Sequence, residues 1–214
     1  IAVTFCPLCN SGLVFDRRLD DMVLEFGVSG LLRHSDLIMY DRQTFSWWQQ
    51  FSGEAIVGRL SGRRLDPLLS WMEAWGEFAA RFPEGLVMDE PGGHARPYGR
   101  NPYVGYDSNA RPFLYRGEDP PNGVHPLARV VRVGDRAWPL ERLRAEGEIE
   151  EAGLRITWRS GMTSALDMAV IAEGRDVGQI RVRDARTGAD VVHEVVFAFV
   201  FHAFEPDGRW MLGR

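Results

Sequence analysis

Ile1-Ala-Val-Thr-Phe-Cys-Pro-Leu-Cys-Asn-Ser-Gly-Leu-Val-Phe-Asp16 sets two apolar runs on either side of a short polar break. Ile1 to Phe5 and Gly12 to Asp16 read as strands, and Asn10-Ser11 favours a turn because such side chains bond their own backbone. The same punctuation continues through Met22 to Val28, Leu37 to Tyr40 and Glu54 to Leu60, with breaks at Asp20-Asp21 and His34-Ser35-Asp36. One helix is predicted next. Asp66 can cap it, Pro67 suits its first position, and Leu68, Trp71, Met72, Trp75, Phe78, Ala79 and Phe82 recur at helical spacing before Pro83. That stripe is expected to be core. Residues 91–123 then turn to Pro, Gly, Asn and Arg and carry Tyr98, Tyr103, Tyr106 and Tyr115. Such a stretch reads as a long ordered loop, either a wrap joining two halves or an aromatic wall of a ligand groove.

Beyond the loop, Ala128 to Val133 and Arg136 to Pro139 flank the hairpin signal Gly134-Asp135, and a short helix is predicted over Leu140 to Ala145. Strands are predicted at Leu154 to Trp158, Ser164 to Ala172, Gln179 to Arg183 and Val191 to Phe201. The expected fold is α+β and mainly β: two related β-rich halves around one core with one amphipathic helix. Residues 1–90 form the first half with its C-terminal helix, 91–123 the connecting loop, and 124–214 the second half.

Composition narrows the function. The 25 basic and 30 acidic side chains leave a formal charge of −5, which argues against nucleic acid or a polybasic membrane surface. Every one of those basic residues is Arg, so a P-loop lysine, a lysine Schiff base and a lysine general base are excluded in this chain. No Walker loop, strand-borne G-x-G-x-x-G, H-E-x-x-H or G-x-S-x-G occurs, and Gly27-Val28-Ser29-Gly30 comes nearest but misses the spacing. The longest apolar run, Val195 to Phe201, is far short of the roughly 20 residues that span a bilayer. Ile1 falls inside an expected strand without Met or a signal peptide ahead of it, so a preceding segment is expected.

Val3 to Phe15 laid over Ile156 to Met168 aligns three identities, Thr4 with Thr157, Ser11 with Ser164 and Leu13 with Leu166, beside several apolar matches. The halves read as degenerate copies. The second copy follows a hairpin and helix over Val130 to Leu143, so an equivalent unit is expected upstream of Ile1. The stretches Val3-Thr-Phe-Cys-Pro-Leu-Cys-Asn-Ser-Gly-Leu-Val-Phe-Asp-Arg-Arg, Phe26-Gly-Val-Ser-Gly-Leu-Leu, Ser35-Asp-Leu-Ile-Met-Tyr-Asp-Arg-Gln-Thr and Gly53-Glu-Ala-Ile-Val-Gly resemble the bacterial and archaeal DUF3179 family. The resemblance covers about the first ninety residues and, more loosely, Asn101 to Leu143. It implies an extracytoplasmic location, periplasmic or secreted, because such members commonly carry an export signal or lipid anchor and an upstream unit ending in a His-Glu segment. The family has no assigned activity, so none is implied.

Cys6-Pro7-Leu8-Cys9 holds the only cysteines, where a strand passes into a turn. Three chemistries suit that spacing: two thiolates on one soft ion, copper or zinc; a dithiol–disulfide redox pair; or a structural disulfide. Two sulfurs leave a metal site incomplete, and His34, His94, His125, His193, His202, Met39 and Met162 are candidates to close it. The expected metal set is Cys6 and Cys9 with His202, His34 and Met162, the last facing Cys9 in the repeat alignment. Asp16, Asp36 and Asp41, near Trp47-Trp48-Gln49-Gln50, read as turn residues or Arg partners, with a general acid or oxygen ligand as the alternative. The expected function is an extracytoplasmic metal-binding or thiol-redox protein whose partner is a metal ion or small molecule. Its rival is a non-catalytic binding module with a structural disulfide.

Overall fold

The computed structural model describes residues 1–90, 92–93 and 96–213, and 35% strand against 14% helix makes the fold α+β and mainly β. β1 (Ala2–Cys6) and β2 (Ser11–Phe15) form an antiparallel hairpin that pairs Ala2 with Phe15 and Cys6 with Ser11. A short ribbon, β3 (Arg18–Leu19) and β4 (Met22–Val23), leads into a meander of β5 (Phe26–Arg33), β6 (Asp36–Asp41), β7 (Trp47–Gln49) and β8 (Glu54–Val57) in sequence order. The strand expected over Met22 to Val28 is thus split. Leu24 turns its N–H to the Arg17 carbonyl and buries its side chain with Leu13, Phe15, Met39 and Trp48, the apolar core of this half.

The helix expected from Asp66 begins only at Trp75, where α1 runs to Arg81. Asp66 and Leu68 are drawn instead onto the edge of β2, through Asp16 N–H to the Asp66 carbonyl at 2.9 Å and Leu68 N–H to the Val14 carbonyl at 2.8 Å. A capping residue contributes about 1 kcal/mol, less than ladder bonds made on an existing strand edge together with the burial beside them. The stripe expected to be core is not core: α1 has no buried residue, and Trp75 and Phe82 are 62% and 52% exposed. Trp71, Met72, Trp75 and Phe78 line a groove of about 990 Å³ against Met162 and Val170.

The second half contains β9 (Arg129–Val133), β10 (Arg136–Pro139), α2 (Leu140–Glu146), β11 (Glu148–Glu151), β12 (Leu154–Arg159), β13 (Gln179–Asp184), β14 (Glu194–Phe197), α3 (Ala198–Phe204) and β15 (Arg209–Trp210). One sheet is ordered β14-β9-β10-β15, with β15 parallel to β10, and the other β11-β12-β13. Two sequence expectations fail here. Ser164 to Ala172 is loop running into a 3₁₀ turn at Ile171–Glu173, because the Ser164 hydroxyl accepts the Leu166 N–H and Asp167 accepts that of Arg175, which diverts the backbone from a ladder. Val191 to Phe201 divides into β14 and α3, since Ala198, Phe199, Val200 and Phe201 are all buried and a run apolar on every side carries no strand or helix period.

The repeat survives at one strand. β1 opens a hairpin with β2, whereas β12 closes a hairpin with β11 and pairs on its other side with β13, and the residues aligned with β2 lie in the loop between β12 and β13. Their covers differ as well. Leu154 and Ile156 are 9% and 0% exposed beneath Leu140 and Leu143 of α2, whereas Ile1, just ahead of β1, and Val3 on it are 73% and 74% exposed.

A further core cluster joins the halves: Cys6, Leu8, Cys9 and Phe51 pack with Tyr106 and Tyr115 of the connecting loop and with Val196, Phe197, Phe199 and Phe201. Asn10 donates to the Val195 carbonyl at 2.8 Å, and the Phe197 N–H donates to that of Cys9 at 2.9 Å. The Cys-Pro-Leu-Cys turn is thereby bolted to the entry of α3.

Candidate metal centre

Cys6 and Cys9 are brought together by a β-turn closed by the Cys9 N–H on the Cys6 carbonyl at 3.1 Å, with Pro7 at the position its fixed φ favours. Asn10 then takes a left-handed φ of 51° and returns the chain into β2. Both cysteines are free thiols, 2% and 0% exposed.

The opposing wall comes from the β5–β6 hairpin. Arg33 pairs with Asp36, leaving His34 and Ser35 as a two-residue turn with φ values of 52° and 63°. This turn class favours Asn-Gly, and left-handed backbone at His and Ser stores strain of the order of 1 kcal/mol each. It aims the Ser35 carbonyl at both thiols, 3.8 Å from Cys6 Sγ and 3.5 Å from Cys9 Sγ. The Ser35 hydroxyl donates to the Phe113 carbonyl at 2.6 Å, fixing the turn to the connecting loop.

Asp36 completes the cluster. A donor atom from each of Cys6, Cys9 and Asp36 lies within 4.8 Å of the others, and all three residues are buried. Asp36 Oδ2 accepts from the Gln49 amide at 2.6 Å and the Phe51 N–H at 2.9 Å, while Oδ1 is buried with no hydrogen-bond donor. Burial pushes the Asp36 carboxyl up to about 6 against the opposing effect of Phe51, Gln49 and the Cys9 and Cys6 thiols. Burial also pushes the Cys9 thiol well above its ordinary range, with the Cys6 thiol and the Asp36 charge adding to the rise. The Tyr106 hydroxyl donates to the Leu8 carbonyl at 3.0 Å, so the tyrosine loop packs onto the thiol turn.

Asp36 therefore differs from its neighbours in the sequence. Asp41 accepts from Thr44, Ser46 and the Trp48 indole, and Asp16 pairs with Arg18, both as turn residues. No sequence signal separates the three, because what distinguishes Asp36 is the hairpin opposite.

The remaining ligand candidates sit elsewhere. His34 is exposed at the turn, with its ring edge-on to Phe204 at 5.3 Å, and His202 lies on α3 with Nδ1 buried and unpartnered, facing Trp210. Neither joins the Cys6–Cys9–Asp36 group. Met162 is half-buried on the loop before β13, lining the groove with Trp71 and Met72. Met39 packs beside Trp48 in the first-half core, His193 bonds the Val191 carbonyl through Nδ1, and His125 accepts the Leu127 N–H. His94 lies outside the described residues.

Sequence reading also missed the ion pair of Glu194 with Arg132, whose acid feels the charge of Asp36. Glu194 Oε1 accepts from Arg132 at 2.7 Å while Oε2 is buried without a donor. Burial pushes Glu194 up to about 7 against the effect of Arg132, and the Asp36 charge adds to the rise.

Fold and site define a mainly β protein with a buried dithiol–carboxylate cluster between its halves. The chain belongs to DUF3179, a family described as a protein of unknown function, whose model matches residues 1–208. No curated protein and no solved structure matches it.

Proposed function

We propose that this chain is an extracytoplasmic metal-binding protein whose centre is formed by Cys6, Cys9 and Asp36, with zinc favoured over copper. The observation that carries this reading is the Asp36 carboxylate, which lies within 4.8 Å of two buried thiols and keeps one oxygen, Oδ1, buried without a hydrogen-bond partner. A buried acceptor without a partner costs about 1–3 kcal/mol or more, and a cation shared with two thiolates removes that penalty. Tetrahedral zinc bonds of about 2.3 Å to sulfur and 2.0–2.2 Å to oxygen set donor atoms about 3.5–3.8 Å apart, a span within the 4.8 Å envelope of this cluster. An oxygen donor beside two sulfurs suits Zn²⁺ better than Cu⁺, which is drawn to soft sulfur ligands.

Burial favours this reading over thiol–disulfide exchange. Exchange requires an exposed thiolate, and Cys9 is fully buried with its thiol pushed up. The compartment rests on the resemblance to exported chains, and fractionation of the native host tests it.

The decisive test is elemental analysis with thiol titration on the native protein, Cys6→Ser, Asp36→Asn and His34→Asn. One ion per chain is expected in the native protein and in His34→Asn, with loss in Cys6→Ser and weakened retention in Asp36→Asn. A metal-free disulfide, or metal retained in Cys6→Ser, overturns the reading.

A further inference from the structure

Resting on the metal reading above, we infer that the fourth donor is the main-chain carbonyl of Ser35, so that the ion is enclosed by two sulfurs and two oxygens with no open position. Its distances to Cys6 Sγ and Cys9 Sγ, 3.8 and 3.5 Å, match the donor separations of about 3.5–3.8 Å around tetrahedral zinc. Among the described residues, no N–H of the turns and loops donates to this oxygen, and its partners are the two thiols.

Electron-rich groups therefore surround the thiol pair in a dry core: the Asp36 carboxylate within 4.8 Å of both sulfurs and Ser35 O at 3.8 and 3.5 Å from them. In the metal-free protein the two S–H groups donate to the single carbonyl. Metal binding removes those protons, and two thiolates aimed at a carbonyl oxygen repel it unless a cation lies between them. With both thiols and Asp36 ionised, Zn²⁺ leaves one net negative charge, the same balance as a Cys₃His zinc site. The left-handed His34-Ser35 turn, pinned by the Ser35 hydroxyl on Phe113, holds the carbonyl in place before the ion arrives.

Closure has a functional consequence. Catalytic zinc keeps a position for water or substrate, whereas a four-donor protein site holds its ion and offers it to nothing. The chain would retain or carry the ion, without using it as a Lewis acid.

The test loads the native protein with Co²⁺ as a spectroscopic probe and adds azide, and follows the Ser35 carbonyl ¹³C resonance as Zn²⁺ is titrated into serine-labelled protein. The expected result is a tetrahedral Co²⁺ spectrum with thiolate charge-transfer bands, unchanged by saturating azide, and a Ser35 carbonyl shift that saturates at one Zn²⁺ per chain. A Cys6-dependent spectrum that azide alters, or a Ser35 carbonyl that Zn²⁺ leaves unmoved, overturns the closed site and leaves metal binding standing. No uptake of either ion, or uptake unaffected by Cys6→Ser, overturns the metal reading itself.

Discussion

Asp36 shows how one side chain can oppose folding and serve a site. Its carboxyl sits near 6 in the folded chain against 3.8 for the ordinary group, so the folded state binds the proton more tightly than the unfolded state. The ionised form therefore destabilises the metal-free fold above pH 6. The penalty shrinks as pH falls from about 6 towards about 4 and is absent below. A shift of this size corresponds to about 3 kcal/mol. Asp36→Asn keeps an acceptor for Gln49 and Phe51, so urea unfolding of the metal-free variant at pH 8 should show a gain of up to about 3 kcal/mol. Near pH 4 the gain should vanish. A difference that does not change with pH would show that no buried charge resides there. The Cys-x-x-Cys pair was legible in the sequence through its spacing, whereas Asp36 resembled any turn aspartate.

At the scale of elements, a buried ion pair helps to anchor the connecting loop. Asp107, in the 3₁₀ turn Tyr106–Ser108, accepts from Arg129 of β9 at 2.8 Å and from the Ser164 hydroxyl at 2.6 Å, and also pairs with Arg175. The Asp107 side chain is 0% and that of Arg129 7% exposed, and breaking such a pair costs about 3–5 kcal/mol because a buried charge is left alone. Asp107→Asn should lower the urea midpoint accordingly and raise amide exchange at Leu8 and Cys9, which the neighbouring Tyr106 braces. Unchanged exchange with a lowered midpoint would confine the effect to the second half. Sequence reading gave no sign of this pair, whose members lie far apart along the chain. Elements were legible where turn signals bounded a short β-type run, as at β1, β2 and β10. Legibility failed at Asp66, where a strand edge outcompeted the capping signals, and at Ala198 to Phe201, where burial erased the period.

Across the whole molecule, the related strands β1 and β12 predict unequal sensitivity. Ile156 is fully buried under α2, while Val3, its repeat counterpart, is 74% exposed. Ile156→Ser should destabilise by about 3 kcal/mol or more, whereas Val3→Ser should stay within about 0.5 kcal/mol in the same denaturant titration. Equal losses would mean that the Val3 face is covered in solution. The apolar cluster that joins the halves gives the thiol turn its dryness, and dryness raises both Asp36 and Cys9.

Local chemistry by itself determined the β-rich class, the positions of most strands, the Cys6–Cys9 pair and the absence of lysine and P-loop chemistry, because these depend on periodicity, spacing and residue type. Tertiary structure alone decided that Asp66 to Leu68 is extended and that Trp75 is exposed. It also decided that Asp36 and the Ser35 carbonyl, rather than His34 or His202, stand against the thiols. Residues distant in sequence meet only when hairpins pack, and burial, which sets the charge and bonding needs of every group in this centre, is a property of the packed whole.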